Sequence, residues 1–167
     1  MIMLCVFLFI ACYFDYRHSR IPNWLTAAAL AMGVAVAFAR GGVRPALNFL
    51  GPAVLAVAVF YPLFRIGTLG AGDVKLFGVC AGYLPSEKIL TFLFFALLFA
   101  AIHSLIRIVR EPDPKERFIY FFDYLRDVAE SGSWKLYFAD KQEQKRAGVC
   151  LAGPILLSVL LYVGGMY

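Results

Sequence analysis

Six apolar stretches, set apart by short polar breaks, make up most of this chain: 1–14, 24–39, 46–64, 74–84, 89–109 and 147–163. A helix that crosses a bilayer needs about 17–25 residues at about 1.5 Å each. The third, fifth and sixth stretches meet that length, and the second is slightly short. The first and fourth reach it only by taking in an aspartate. Helix one is therefore expected to run through Asp15 and Tyr16. Helix four is expected to begin near Leu69 and to include Asp73. The pattern predicts an all-α, polytopic membrane bundle of about six transmembrane helices, forming a single membrane-embedded domain over 1–167.

One long polar interval breaks the pattern, at 110–146. It opens with Glu111-Pro112-Asp113-Pro114, which stops a helix because proline lacks an N–H and restricts the residue before it. Phe118, Phe121, Phe122, Leu125 and Val128 then recur at helical spacing. The spacing predicts an amphipathic cytoplasmic insertion. Two placements stay open, on the lipid leaflet or on the surface of the bundle itself.

Composition agrees with the pattern. The chain is 62% hydrophobic, where soluble domains are roughly 45–50% apolar, and its mean hydropathy is +0.75. The net charge of +5 does not point to nucleic acid, because the positions of the charges explain it. With six spans, thirteen of the sixteen Lys and Arg residues fall on one side, and only Arg40, Arg44 and Lys88 fall on the other. The rich side is expected to be cytoplasmic, in a plasma-membrane protein that meets membrane lipid. Cys5, Cys12, Cys80 and Cys150 all lie in apolar sequence with no Cys-x-x-Cys pair, so they read as buried apolar side chains and not as a zinc site or disulfide frame. Residues 1–14 lack a basic start and a small-residue cleavage site, and are expected to stay as the first helix. No internal repeat is visible.

Against this background two acids stand out. Before residue 110 the only carboxylates are Asp15, Asp73 and Glu87. Asp73 follows Gly70-Ala71-Gly72, a turn whose glycines permit positive φ and close backbone approach. That spacing leaves two readings open: a helix N-cap, or a functional acid, which is the default for a carboxylate at membrane depth. Asp15 closes the first apolar run, and could simply mark its end. After it, Ile21-Pro22-Asn23 makes a tight re-entry in which Pro22 restricts the backbone and Asn23 is expected to cap helix two. The charge count puts Asp15 and Asp73 on the same membrane face. Lys75 reads either as a group that biases or steadies the pair, or as a positive-inside anchor. His103, inside the fifth span, reads as an interhelical hydrogen-bond partner.

Asp15 with Arg20-Ile21-Pro22-Asn23, followed by Gly70-Ala71-Gly72-Asp73-Val74-Lys75-Leu76, resembles the type IV prepilin peptidases, membrane aspartyl proteases of the GxGD type. The resemblance extends to Leu151-Ala152-Gly153-Pro154. It implies removal of the basic leader from prepilins or pseudopilins at the cytoplasmic membrane face. Asp15 and Asp73 would be the catalytic pair, with Ile21, Pro22, Asn23, Gly70, Gly72 and Lys75 as supporting motif residues. Longer members carry paired cysteines and methylate the new N-terminus. This chain resembles a short, peptidase-only form of the kind that serves Flp-type tight-adherence pili, and archaeal preflagellin peptidases are also short.

The residues suit that chemistry. An aspartate pair hydrolyses a peptide when one carboxylate is ionised and one protonated, so that one takes a proton from water and the other gives one to the substrate. No metal, nucleotide or other cofactor is required. Two other classes fit the same acids: a proton-coupled small transporter, and a non-catalytic pilus or secretion assembly subunit. Transporters often show matching broken helices in both halves, and no matching half is visible here. Proteases of the presenilin kind pair Tyr-Asp with Gly-x-Gly-Asp, but here Phe14-Asp15 and the Ile-Pro-Asn turn stand instead.

Overall fold

The computed structural model describes residues 1–65, 69–109, Arg126 and 151–167. Six α-helices run through them: α1 (Ile2–His18), α2 (Asn23–Gly41), α3 (Val43–Arg65), α4 (Ala71–Tyr83), α5 (Ile89–Val109) and α6 (Ala152–Val163). A 3-10 turn, Ser86–Lys88, leads into α5. No strand occurs among the described residues, and α2, α3 and the Ser86–Arg107 stretch are long and apolar enough to cross a membrane. The expected all-α membrane bundle is therefore the observed one. The amphipathic insertion expected at 110–146 lies outside the described residues except for Arg126, and Cys150 lies outside them as well.

The first helix absorbs its aspartate and continues to His18. The fourth absorbs Asp73 but starts at Ala71, not near Leu69, and ends after 13 residues. At about 1.5 Å per residue it rises only about 20 Å. It is also the most enclosed helix. Val74, Leu76, Phe77, Val79, Cys80 and Ala81 are all buried, as expected for a helix that is apolar all round. The ring of Phe77 stacks on Phe60 of α3 at 4.5 Å and meets Phe92 of α5 edge-on at 6.2 Å. At Gly78 a Cβ would sit 2.7 Å from a Val57 methyl, so the missing side chain sets the α3–α4 approach.

Pro52 and Pro62 both sit inside α3. Membrane helices tolerate such prolines because neighbouring groups satisfy the freed carbonyls. On the other side of α4, the buried Ser158 hydroxyl of α6 donates to the Phe92 carbonyl at 2.9 Å. Tyr167 folds back, stacks on Phe95 and donates its hydroxyl to the Ser158 carbonyl at 2.8 Å. His103 corrects an expectation. Its side chain is exposed on α5 and makes no hydrogen bond among the described residues.

Candidate active site

The sequence between the first two helices ends α1 and turns the chain over α4. Ser19 takes a left-handed conformation, φ 49° and ψ 34°, and its N–H donates to the Asp15 carbonyl at 2.8 Å. This closes α1 one turn after the aspartate. The turn 20–22 follows, with Pro22 extended at φ −62° and ψ 137° as the residue before α2. Asn23 is thus the first residue of α2 and does not cap it through its side chain. Its amide goes elsewhere: Lys75 Nζ donates to Asn23 Oδ1 at 2.6 Å. The expected cap is replaced by a tie between α4 and the start of α2.

A second contact fastens the same turn. A Cβ on Gly72 would meet Ile21 Cδ1 at 3.1 Å, Cβ at 3.2 Å and Cγ1 at 3.3 Å. Any side chain at Gly72 would press on Ile21, which fills the space beside it. Phe14 completes the clasp by meeting Trp24 edge-on at 6.2 Å. The two sequence motifs, far apart in the chain, are therefore one interlocked unit.

Gly70 has a related role, and it corrects the sequence reading. Its φ is −72°, an ordinary value, and neither Gly70 nor Gly72 has a positive φ. What Gly70 provides is room for a carboxylate, because a Cβ there would lie 2.8 Å from Asp73 Oδ2. That oxygen accepts the Gly70 N–H at 3.1 Å, while the Asp73 N–H donates to the Gly70 carbonyl at 3.1 Å. Asp73 therefore does cap α4, but from the third helical position and not as the N-cap residue. There the helix dipole also favours its negative charge.

Asp15 is held by a different helix end. It is buried, 8% exposed, and its Oδ2 accepts the N–H of Ala152, the first residue of α6, at 3.4 Å. Both carboxylates thus face the positive end of a helix, one its own and one a neighbour's. Both lie at the same end of the bundle, where the turn after α1 packs on the start of α4. The role of Ala152 is a backbone role, so the side-chain pattern could not reveal it. The available signal was Gly153-Pro154, since proline in a first turn marks a helix start.

The sites named from sequence fall into one group. Asp15, Ile21, Pro22, Asn23, Gly70, Gly72, Asp73 and Lys75 all belong to the ends of α1 and α4 and the turn that covers them. Beside them an open cleft of about 430 Å³ is lined by Phe14, His18, Arg20, Ile21, Pro22 and Asn23. Among the described residues no three His, Cys, Asp or Glu side chains converge in a metal-binding group. Two carboxylates at one end of the bundle, near an open cleft, are groups that can exchange protons and orient a water.

Comparison with known proteins adds a family. No curated protein and no solved structure gave a significant match. The model of the type IV leader peptidase family matches residues 2–105, which include both aspartates, the Ile-Pro-Asn turn and the Gly-Ala-Gly-Asp segment. With more than half of its length matched, the chain belongs to the type IV leader peptidase family.

Proposed function

We propose that this protein is a membrane aspartyl endopeptidase that removes the basic leader peptide of prepilins, with Asp15 and Asp73 as its acid–base pair. The observation that carries the reading is the clasp. Ile21 packs on Gly72 and Asn23 accepts from Lys75, and both contacts draw the end of α1 toward the start of α4, where the acids lie. One carboxylate, ionised, takes a proton from a water that attacks the scissile carbonyl. The other, protonated, gives its proton to the carbonyl oxygen. The leaving amine then receives a proton as the tetrahedral intermediate collapses. Two close carboxylates titrate as a pair, so the proton belongs to both.

The substrate would present its leader on the cytoplasmic side, because the charge pattern of the sequence assigns thirteen of the sixteen Lys and Arg residues to the side that carries both aspartates. On this reading the protein sits in the plasma membrane with its site facing inward. Flp-type pilins are the substrate class to test first. The test is co-expression with a candidate prepilin, comparing wild type with Asp15→Asn and Asp73→Asn. Each substitution keeps the shape and hydrogen-bonding capacity of the side chain but removes its titration. Each should lower cleavage by about 10²–10⁴-fold, the usual contribution of a positioned acid or base, at unchanged protein abundance. Normal processing by either variant would sink the proposal.

A further inference from the structure

The short fourth helix leaves a space beneath it. α4 rises about 20 Å, whereas α2 and α3, with 19 and 23 residues, rise about 28 and 34 Å. All three are level at the acid end, where Asn23 bonds Lys75 and Phe60 stacks on Phe77. Past Tyr83 the chain turns away through Pro85 into α5. The vacated volume is a groove of about 500 Å³ at the bundle end away from the acids. Met3, Gly33, Ala37 and Phe49 form much of its wall, and Tyr83 lies at its inner end. Tyr83 is already committed, because its hydroxyl donates to the Ala29 carbonyl at 2.9 Å. Among the described residues, Arg40, in the last turn of α2, is the one charged side chain lining the groove, and no carboxylate lines it.

We propose that this groove is a phospholipid site, in which an acyl chain lies under the end of α4 and the lipid phosphate pairs with Arg40. Three arguments select this occupant. The groove lies in the membrane-spanning part of the bundle, where hydrocarbon is the surrounding medium. Water is a poor tenant, since a bound water needs two to four polar partners and the wall is mostly apolar. Left empty, the wall would forfeit its dispersion contacts. Arg40 then sets the head-group preference. A guanidinium forms strong paired hydrogen bonds with phosphate, and Arg44, at the start of α3, adds a second positive charge at the same end. An anionic head group is therefore favoured.

The test uses delipidated protein in detergent, titrated with phosphatidylglycerol and read by native mass spectrometry and thermal melting. Wild type should retain one lipid through conditions that strip the rest, and its Tm should rise with added lipid. Arg40→Gln, a change at an exposed position, should hold that lipid about fivefold more weakly. Ala37→Phe places a ring in the groove and should abolish the retained lipid. Wild type retaining no lipid, or Arg40→Gln retaining it at the wild-type level, would overturn the proposal. If Ala37→Phe fails to accumulate, the Arg40 comparison still decides. Neither readout depends on peptidase activity, so the result stands apart from the catalytic reading.

Discussion

Gly72→Ala separates stability from positioning at the clasp. Gly72 lies in the first turn of α4 without a positive φ, so alanine fits the backbone there. Replacing glycine at such a site stabilises by about 0.4–1 kcal/mol, because it restricts the unfolded chain. The new methyl would stand 3.1–3.3 Å from three Ile21 atoms, inside the ordinary 3.5–4.0 Å contact range. Ile21 is only half-buried and lies in a turn, so it can move out by a few tenths of an ångström. That places the cost near the low end of the ~1–3 kcal/mol typical of overpacking. The two terms nearly cancel, and Tm should shift by less than about 4 °C. Activity should respond more. A misplacement of about 1 Å can cost 10²-fold, so a shift of a few tenths should lower kcat several-fold with little change in KM. Ile21→Ala removes the Cγ1 and Cδ1 atoms that the methyl would strike. Alone it opens a gap and also lowers kcat. Combined with Gly72→Ala it lets the turn settle, so the double variant should outperform either single one. The assay is steady-state cleavage of purified prepilin in detergent, with tryptophan fluorescence melts run in parallel. Full activity in Gly72→Ala, or a double variant no better than the worse single one, would refute the reasoning.

Lys75→Gln and Asn23→Ala should each reduce kcat several-fold with little loss of stability, since an exposed charged hydrogen bond adds only modestly to folding. The double variant should be no worse than the poorer single one, and full additivity in that cycle would show that the 2.6 Å contact does not act as a unit. Ser158→Ala and Tyr167→Phe each remove a hydroxyl's bond to a carbonyl, together with the 3.1 Å contact between the two hydroxyls, far from the acids. They should lower stability by about 1 kcal/mol each and leave kcat unchanged; a kcat loss without a Tm loss would contradict that division. The pH profile of kcat/KM should be bell-shaped, because activity needs one proton shared by two carboxylates. A profile lacking the acidic limb would exclude an ionised carboxylate as the base.

The hydrophobic pattern alone carried the architecture, because a bilayer admits few backbone solutions and helix length follows from its thickness. It placed α5 to the residue, and brought both aspartates into their helices as length required. The charge pattern put the two acids on one face, since lysines and arginines mark a side of the membrane. Contacts between distant segments were beyond its reach. Asn23 read as a helix cap because capping is a local rule, whereas its amide is claimed by Lys75 from another helix. Gly70 and Gly72 read as conformational glycines, whereas their backbones are ordinary and what they provide is space for Asp73 Oδ2 and for Ile21. The hold of α6 on Asp15 uses the Ala152 backbone N–H, which every residue but proline possesses and no sequence pattern singles out. The sequence thus singled out the candidate residues and the helices that carry them. Only the packing of α1, α4 and α6 decided how the two carboxylates are held, because that depends on shapes meeting across the bundle.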